Sequence, residues 1–297
     1  MRKNIHYIVP CASKQIAIPN DLLFRNMPKL NVEDLFLKWR YTLKDTKADE
    51  VKAIDVYGGA YWKIITQIYQ GMDRIFDNIW VMGAGYGIVN VEEKIKPYSA
   101  VFKNNHFDNI GFKFDSKSPY LDWWNLYNKN EISISKLYNK DDIFFIIGSF
   151  EYFKAIGYDV SKIIKKPNVY VISPDTKLKH ITPYLIPSSL WLQQKLGGSK
   201  FTITPLVMKY IAKILPKFNY DKDEIITHMK DLISQCDIGK RKPVGKKLND
   251  CELKILIGEI GWDKPKSFIH QAIGRKGYAC GIIRLNRTLY NKTHPQK

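Results

Sequence analysis

The feature that most constrains this chain is a form repeated four times along it: a short run of β-branched and aromatic residues, a cluster of small or turn-forming residues, then a helical pattern. The runs span 6–11, followed by Ala12, Ser13 and Lys14; 78–82, followed by Gly83, Ala84, Gly85, Tyr86 and Gly87; 142–147, followed by Gly148 and Ser149; and 169–172, followed by Ser173, Pro174 and Asp175. Continuous apolar runs of this length, bounded by turns, read as strands buried on both faces. Helices fill the intervals, because 33–43, 60–74, 149–156 and 205–215 carry apolar residues at helical spacing. Strands alternating with helices predict an α/β fold, a mostly parallel sheet flanked by helices. Ligands of such sheets bind beyond the carboxyl ends of the strands, which points to Ser13, Lys14, Gly85, Tyr86, Ser149, Glu151 and Asp175. The segment 104–139 is rich in Asn, Lys and aromatics, shows weak periodicity and holds Trp123 and Trp124, so it is expected as a long insertion over the face of the sheet.

Charge divides the chain. The 47 Lys and Arg against 29 Asp and Glu give a net charge of +18, a self-repulsion easiest to understand beside a polyanion, although a Lys-, Asn-, Ile- and Tyr-rich codon bias produces part of the same excess. Residues 239–297 alone carry 14 Lys and Arg against 4 Asp and Glu. The expected division is an α/β catalytic domain over 1–238, a basic Gly- and Pro-punctuated linker over 239–247, and a basic helical module over 248–297. In that module Asn249 caps a helix ended by Gly261, a second helix runs from Lys264 to Arg275, and a strand-like stretch follows over 281–285. This is the outline of a helix-turn-helix with a basic wing. Its phosphate- and base-contacting face would be Lys264, Lys266, Ser267, His270, Gln271, Arg275 and Lys276, with Arg284 and Arg287 on the wing and Lys96 as a further DNA contact from the larger domain. A small solvated helical hairpin is the alternative. The expected partner is double-stranded DNA, with no membrane and no obligate protein partner.

Four cysteines, Cys11, Cys236, Cys251 and Cys280, have neither zinc-ligand nor disulfide-framework spacing, and no run reaches the roughly 18 apolar residues of a membrane span. A reducing, cytoplasmic setting is expected, with no metal and no cofactor. There is no Walker loop, no dinucleotide glycine pattern, no H-E-x-x-H and no G-x-S-x-G.

Three phrases carry a resemblance. They are Val9-Pro-Cys-Ala-Ser-Lys14, Asp55-Val-Tyr-Gly-Gly-Ala-Tyr-Trp62, and Val81-Met-Gly-Ala-Gly-Tyr-Gly-Ile-Val89 followed by Ile95-Lys-Pro-Tyr98. In this order they resemble the YaaA-like superfamily over about residues 5–205, with Gly83-Ala84-Gly85 replacing the more usual Ser-Ala-Lys and with 104–139 having no counterpart. The resemblance implies a role on nucleic acid. A basic chain of this size is most similar to the Brig-type anti-phage DNA glycosylases, which implies excision of a modified base, glucosylated hydroxymethylcytosine among the candidates, from phage DNA. Relatives also imply two alternatives: a base-exchanging transglycosylase acting on tRNA or DNA, and a noncatalytic DNA-binding stress-response protein.

Breaking an N-glycosidic bond in duplex DNA needs an extruded nucleotide, walls on which to stack it, and a carboxylate to support the sugar cation or activate water. The carboxylates at expected strand ends are Asp55, Glu151 and Asp175, each equally a residue that helix N-termini recruit. Lys14 is expected as a phosphate or base contact. Tyr57, Tyr86 and Tyr98 are pocket walls or core aromatics, and Trp123 and Trp124 stack on the base or anchor their segment. Cys11 reads as a small buried residue rather than a nucleophile.

Overall fold

A computed structural model describes residues 3–14, 16–71, 76–174, 181–236, 246–281, 284–286 and 288–289. The chain separates into two compact units, Met1–Cys236 and Asp237–Lys297.

The first unit is α/β. Its strands β1 (Ile5–Pro10), β2 (Asn78–Gly83), β3 (Gly87–Asn90), β4 (Ile143–Ile147), β5 (Val169–Ser173) and β6 (Leu185–Pro187) form one sheet in the order β6-β5-β4-β1-β2-β3. Neighbours are parallel except β3, which returns antiparallel to β2 through Ala84, Gly85 and Tyr86. The sequence dictates this placement. β4 and β5 read Ile-Phe-Phe-Ile-Ile and Val-Tyr-Val-Ile-Ser with every residue buried, as strands covered on both faces must be. The antiparallel β3 sits at an edge, where a hairpin can reach it.

Six helices of the first unit matter here: α1 (Val32–Asp45), α2 (Gly59–Gln70), α3 (Pro119–Asn130), α4 (Phe150–Ser161), α5 (Ile203–Ile214) and α6 (Lys222–Ser234). α1 starts where the Asn31 side chain accepts the Asp34 N–H at 2.9 Å, and it buries Leu35, Phe36, Trp39 and Leu43 along one stripe.

The segment 104–139 departs from the expected insertion. It contains α3 and the short helix Ile134–Leu137, and α3 buries Tyr120, Trp123, Trp124 and Tyr127 in the main core. Those aromatics stand at helical spacing with Asp122 and Asn125 between them and Asn128 and Lys129 after them; the pattern is diluted when it is averaged over the whole segment. The stripe has a purpose in the fold. Trp123 donates its indole N–H to the Ala84 carbonyl at 2.7 Å, while Trp39 and the Tyr127 hydroxyl both donate to the Gly85 carbonyl, at 2.9 and 2.6 Å. Three aromatic donors thus satisfy the carbonyls of the β2–β3 turn, which is otherwise a buried polar liability. Gly85 is required because any Cβ there would collide with the Tyr98 ring.

In the second unit the helices α7 (Asp250–Ile260) and α8 (Lys266–Arg275) pack over Leu248, Leu253, Leu256, Ile257, Ile269, Ile273 and Leu285. Asn249 and Glu252 form a reciprocal capping box at the start of α7. Of the strand-like stretch expected over 281–285, Ile282 and Ile283 lie outside the described residues and Arg284 to Asn286 are helical; a two-residue strand is described at Tyr278–Ala279, paired with Lys246–Lys247. Leu285 and Leu289 stand four apart, and a short apolar run has no period of its own to separate strand from helix.

Candidate functional site

From β1 the chain departs toward β2 on one side, and from β4 toward β5 and β6 on the other, so the adjacent strands β1 and β4 are the topological switch point of the sheet. A cavity of about 880 Å³ lies at their carboxyl ends. Its lining takes Pro10 to Ser13 from the end of β1, Ile147 to Ser149 from the end of β4, and Pro174 after β5. Apolar walls come from Ile16, Ile18, Leu23, Val101 and Phe102.

Three helices begin at this cavity. Gly58, Gly59 and Ala60 open α2, Gly148 and Ser149 precede α4, and Lys200, Phe201 and Thr204 surround the start of α5. Gly58 and Ser149 make no side-chain capping bond, so the first N–H groups of α2 and α4 have no cap at the cavity; at α5 the Ile203 N–H already donates to the Ser199 carbonyl at 2.9 Å and Pro205 has no N–H. The Ser149 hydroxyl donates instead to the Glu151 carboxylate at 3.1 Å.

The floor is neutral and polar. The Cys11 thiol lies 3.0 Å from the Tyr152 hydroxyl, and the Tyr61 hydroxyl is buried without a hydrogen-bond partner among the described residues. Beneath them, the Tyr57 and Tyr98 hydroxyls are 2.9 Å apart. Burial pushes all four phenols well above the ordinary tyrosine range, so they act as neutral donors and acceptors.

One wall holds Arg25 and Asp108. The Asp108 side chain is fully buried; its Oδ1 accepts the Arg25 backbone N–H and Nε–H, both at 2.9 Å, and its Oδ2 accepts Arg25 Nη2 at 2.7 Å and the Ser99 hydroxyl at 2.7 Å. Burial alone would raise this carboxyl, but the bonds from Arg25 and Ser99 outweigh it and hold Asp108 below the usual carboxylate value. The same bonds raise Arg25 further. Four accepted bonds occupy the carboxylate, so Asp108 anchors Arg25 and has no oxygen lone pair left for chemistry.

Of the residues singled out in sequence, Ser13 and Ser149 line the cavity, and Glu151 stands in the first turn of α4 bonded to Ser149. Tyr57 and Tyr98 are fully buried in the core below the floor, Gly85 and Trp123 belong to the aromatic clamp on the β2–β3 turn, and Trp124 is buried in the core beside Tyr127 and Phe102. These five are core residues and not stacking walls, because no face of theirs is open to a ligand. Asp55 is exposed on the short helix Ala53–Val56 and does not line the cavity. Tyr86 lines a separate small hollow with Arg40; its hydroxyl accepts the Lys96 N–H at 3.1 Å, and burial pushes it up to about 12. The Lys96 ammonium donates to the Lys44 carbonyl at 2.8 Å, near the end of α1. Lys14 pairs through its backbone with Tyr57; its side chain, Asp175 and Arg287 lie outside the described residues.

On the second unit Lys264, Lys266, Ser267, His270, Gln271, Arg275 and Lys276 are all exposed. Some are engaged locally: Lys276 with Glu259 at 3.0 Å, Lys264 with Asp263 at 3.9 Å, and His270 with the Cys280 carbonyl at 2.9 Å. Arg284 bonds Asp250 and the Leu248 carbonyl, which makes it a staple between the chain end and α7.

Sequence reasoning missed Arg25, Asp108, Tyr61 and Tyr152. Arg25 and Asp108 are 83 positions apart with no local pattern, whereas Tyr61 lies inside the phrase Asp55 to Trp62 and Tyr152 directly follows Glu151. Among the described residues no group of three His, Cys, Asp or Glu is placed to hold a metal ion, and no helix is long and apolar enough to cross a membrane. No protein-family model matches the chain, and no curated protein matches it in sequence.

Proposed function

We propose that the chain is a metal-independent DNA glycosylase of the YaaA-like superfamily, a Brig-type enzyme that excises a modified base from phage DNA in the cytoplasm. The observation that carries the reading is the cavity at the switch point: at about 880 Å³ it falls in the range of small-molecule sites, with apolar walls for a base, neutral hydroxyls for its edge, and cations at its wall.

In this reading the target nucleotide leaves the duplex and its base enters between the apolar walls. Tyr61 supplies a buried hydroxyl that has no hydrogen-bond partner among the described residues. Glu151 does not itself line the cavity; in the first turn of α4 and bonded to the lining Ser149, it is the carboxylate that would reach in from beside it, and Asp175, outside the described residues, is its companion after β5. A carboxylate takes a proton from water as the water oxygen bonds to C1′ and the C1′–N bond breaks; the same proton then passes to the departing base nitrogen, which regenerates the carboxylate, and the sugar stays in the strand as an abasic site. The +18 charge and the exposed cations of α8 supply the non-specific attraction to phosphates.

The test is mass spectrometry of small products after the pure protein meets unmodified, hydroxymethylated and glucosyl-hydroxymethylated DNA without metal or cofactor. A released modified base with abasic sites in the polymer is expected. Incorporation of an added free base would replace the reading with base exchange; tight binding without any released base would replace it with DNA binding alone.

A further inference from the structure

We propose that Arg25, fixed by Asp108, is the anchor of a phosphate subsite in the wall of the switch-point cavity, so that the cavity takes a nucleotide with its phosphate rather than a bare base or nucleoside. This rests on the base-in-cavity reading for the nucleoside part; the phosphate part stands on the geometry.

Asp108 uses the side of the guanidinium that carries Nε and one hydrogen of Nη2. The end that carries Nη1 and the second hydrogen of Nη2 remains, a fork that matches two oxygens of a phosphate. A long cationic side chain is normally mobile. Here a fully buried carboxylate with both oxygens saturated holds it, so little freedom is left to lose on binding.

Two further observations in the same cavity point to an anionic ligand with a polar body. The starts of α2 and α4, each twelve residues long and each without a side-chain cap, stand at the cavity with their positive ends. The Tyr61 hydroxyl is buried and unpartnered among the described residues and lines the cavity, so it is a polar group open to a ligand there. Lys103 and Lys200 also line the cavity, while Asp108, the one carboxylate among its described lining residues, is already spent on Arg25.

The experiment is calorimetric titration of the full chain with the four common deoxynucleosides, their 5′-monophosphates, and a trinucleotide. The monophosphates should bind about tenfold or more tightly than the nucleosides. That ratio should fall to about one in the paired variant Arg25→Gln with Asp108→Asn, which removes both charges together, and should persist in Lys94→Gln, which removes an exposed charge away from the cavity. Should the paired variant not fold, the wild type decides: inorganic phosphate should displace the monophosphate and leave nucleoside binding unchanged. Equal binding of nucleoside and monophosphate, no binding of either at millimolar concentration, a ratio that survives in the paired variant, or phosphate that fails to compete overturns the subsite. A trinucleotide that outcompetes the monophosphate assigns the phosphate to a nucleic-acid strand; the reverse ranking assigns it to a free nucleotide. Binding is read without chemistry, so a failure to release base leaves this result standing, and a failure here leaves base release to be judged on its own.

Discussion

The two units solve different problems with different cores. In the first, aromatic and β-branched side chains pack around a sheet covered on both faces, and the packing fixes polar groups to hydrogen-bond distance: three aromatic donors on one turn, four bonds on Asp108. In the second, seven buried aliphatic residues hold two helices that display cations to solvent. A large core positions atoms, which reaction chemistry requires. A small one suffices for a charged surface, because phosphate contacts tolerate imprecise placement and draw most of their strength from counterion release.

The account is broken most easily where placement matters most. Glu151→Gln should lower base release by about 10²- to 10⁴-fold in single-turnover assays while leaving DNA affinity within about twofold; full activity would remove Glu151 from the chemistry. Asp108→Ala should destabilise the first unit by about 1–3 kcal/mol in denaturant titrations, since it leaves the buried Ser99 hydroxyl and the Arg25 backbone N–H without their acceptor; an unchanged stability would mean that Asp108 does not hold this wall together.

Removing residues 237–297 should weaken DNA binding by about 10²-fold at physiological salt and flatten the dependence of log K on log salt by several units. An unchanged salt slope would move the grip to the first unit. Lys222 tests what burial does to a charge in the larger core. Its ammonium donates to the Ile164 carbonyl at 2.5 Å, and burial pushes it down to about 8. The unfolded chain, with an ordinary lysine value, binds more protons than the folded one between about pH 8 and pH 10, so stability should rise with pH through that window by ~1–3 kcal/mol more than in Lys222→Met. Parallel pH profiles for the two proteins would contradict this. Smallest of all, Lys266→Gln should cost a few-fold in affinity uniformly across sequences and about 0.9 in salt slope.

Much of this architecture was legible in sequence, and the misses have physical causes. The four strands with their turns were readable because buried parallel strands are continuous apolar runs, as 143–147 shows. The aromatic stripe of α3 was missed because its period is spread through a polar segment, and so Trp123 and Trp124 were open to a stacking role that their burial removes. Of the site, the residues directly after strands, Ser13 and Ser149, were readable from topology alone. Arg25 and Asp108 were not, since only the folded chain brings positions so far apart to one wall. Gly85, Tyr57 and Tyr98 stand in the family-like phrases for packing reasons, which a linear motif does not distinguish from ligand contact.

The central claim is that the cavity in the first unit does the chemistry and the second unit does not. Ala12→Phe places a ring where the lining after β1 is small. Base release and DNA affinity, measured on the same samples with the melting temperature as a control, decide it. The account predicts that release falls at least about 100-fold while affinity stays within about twofold; release at the wild-type rate with the cavity filled would contradict it.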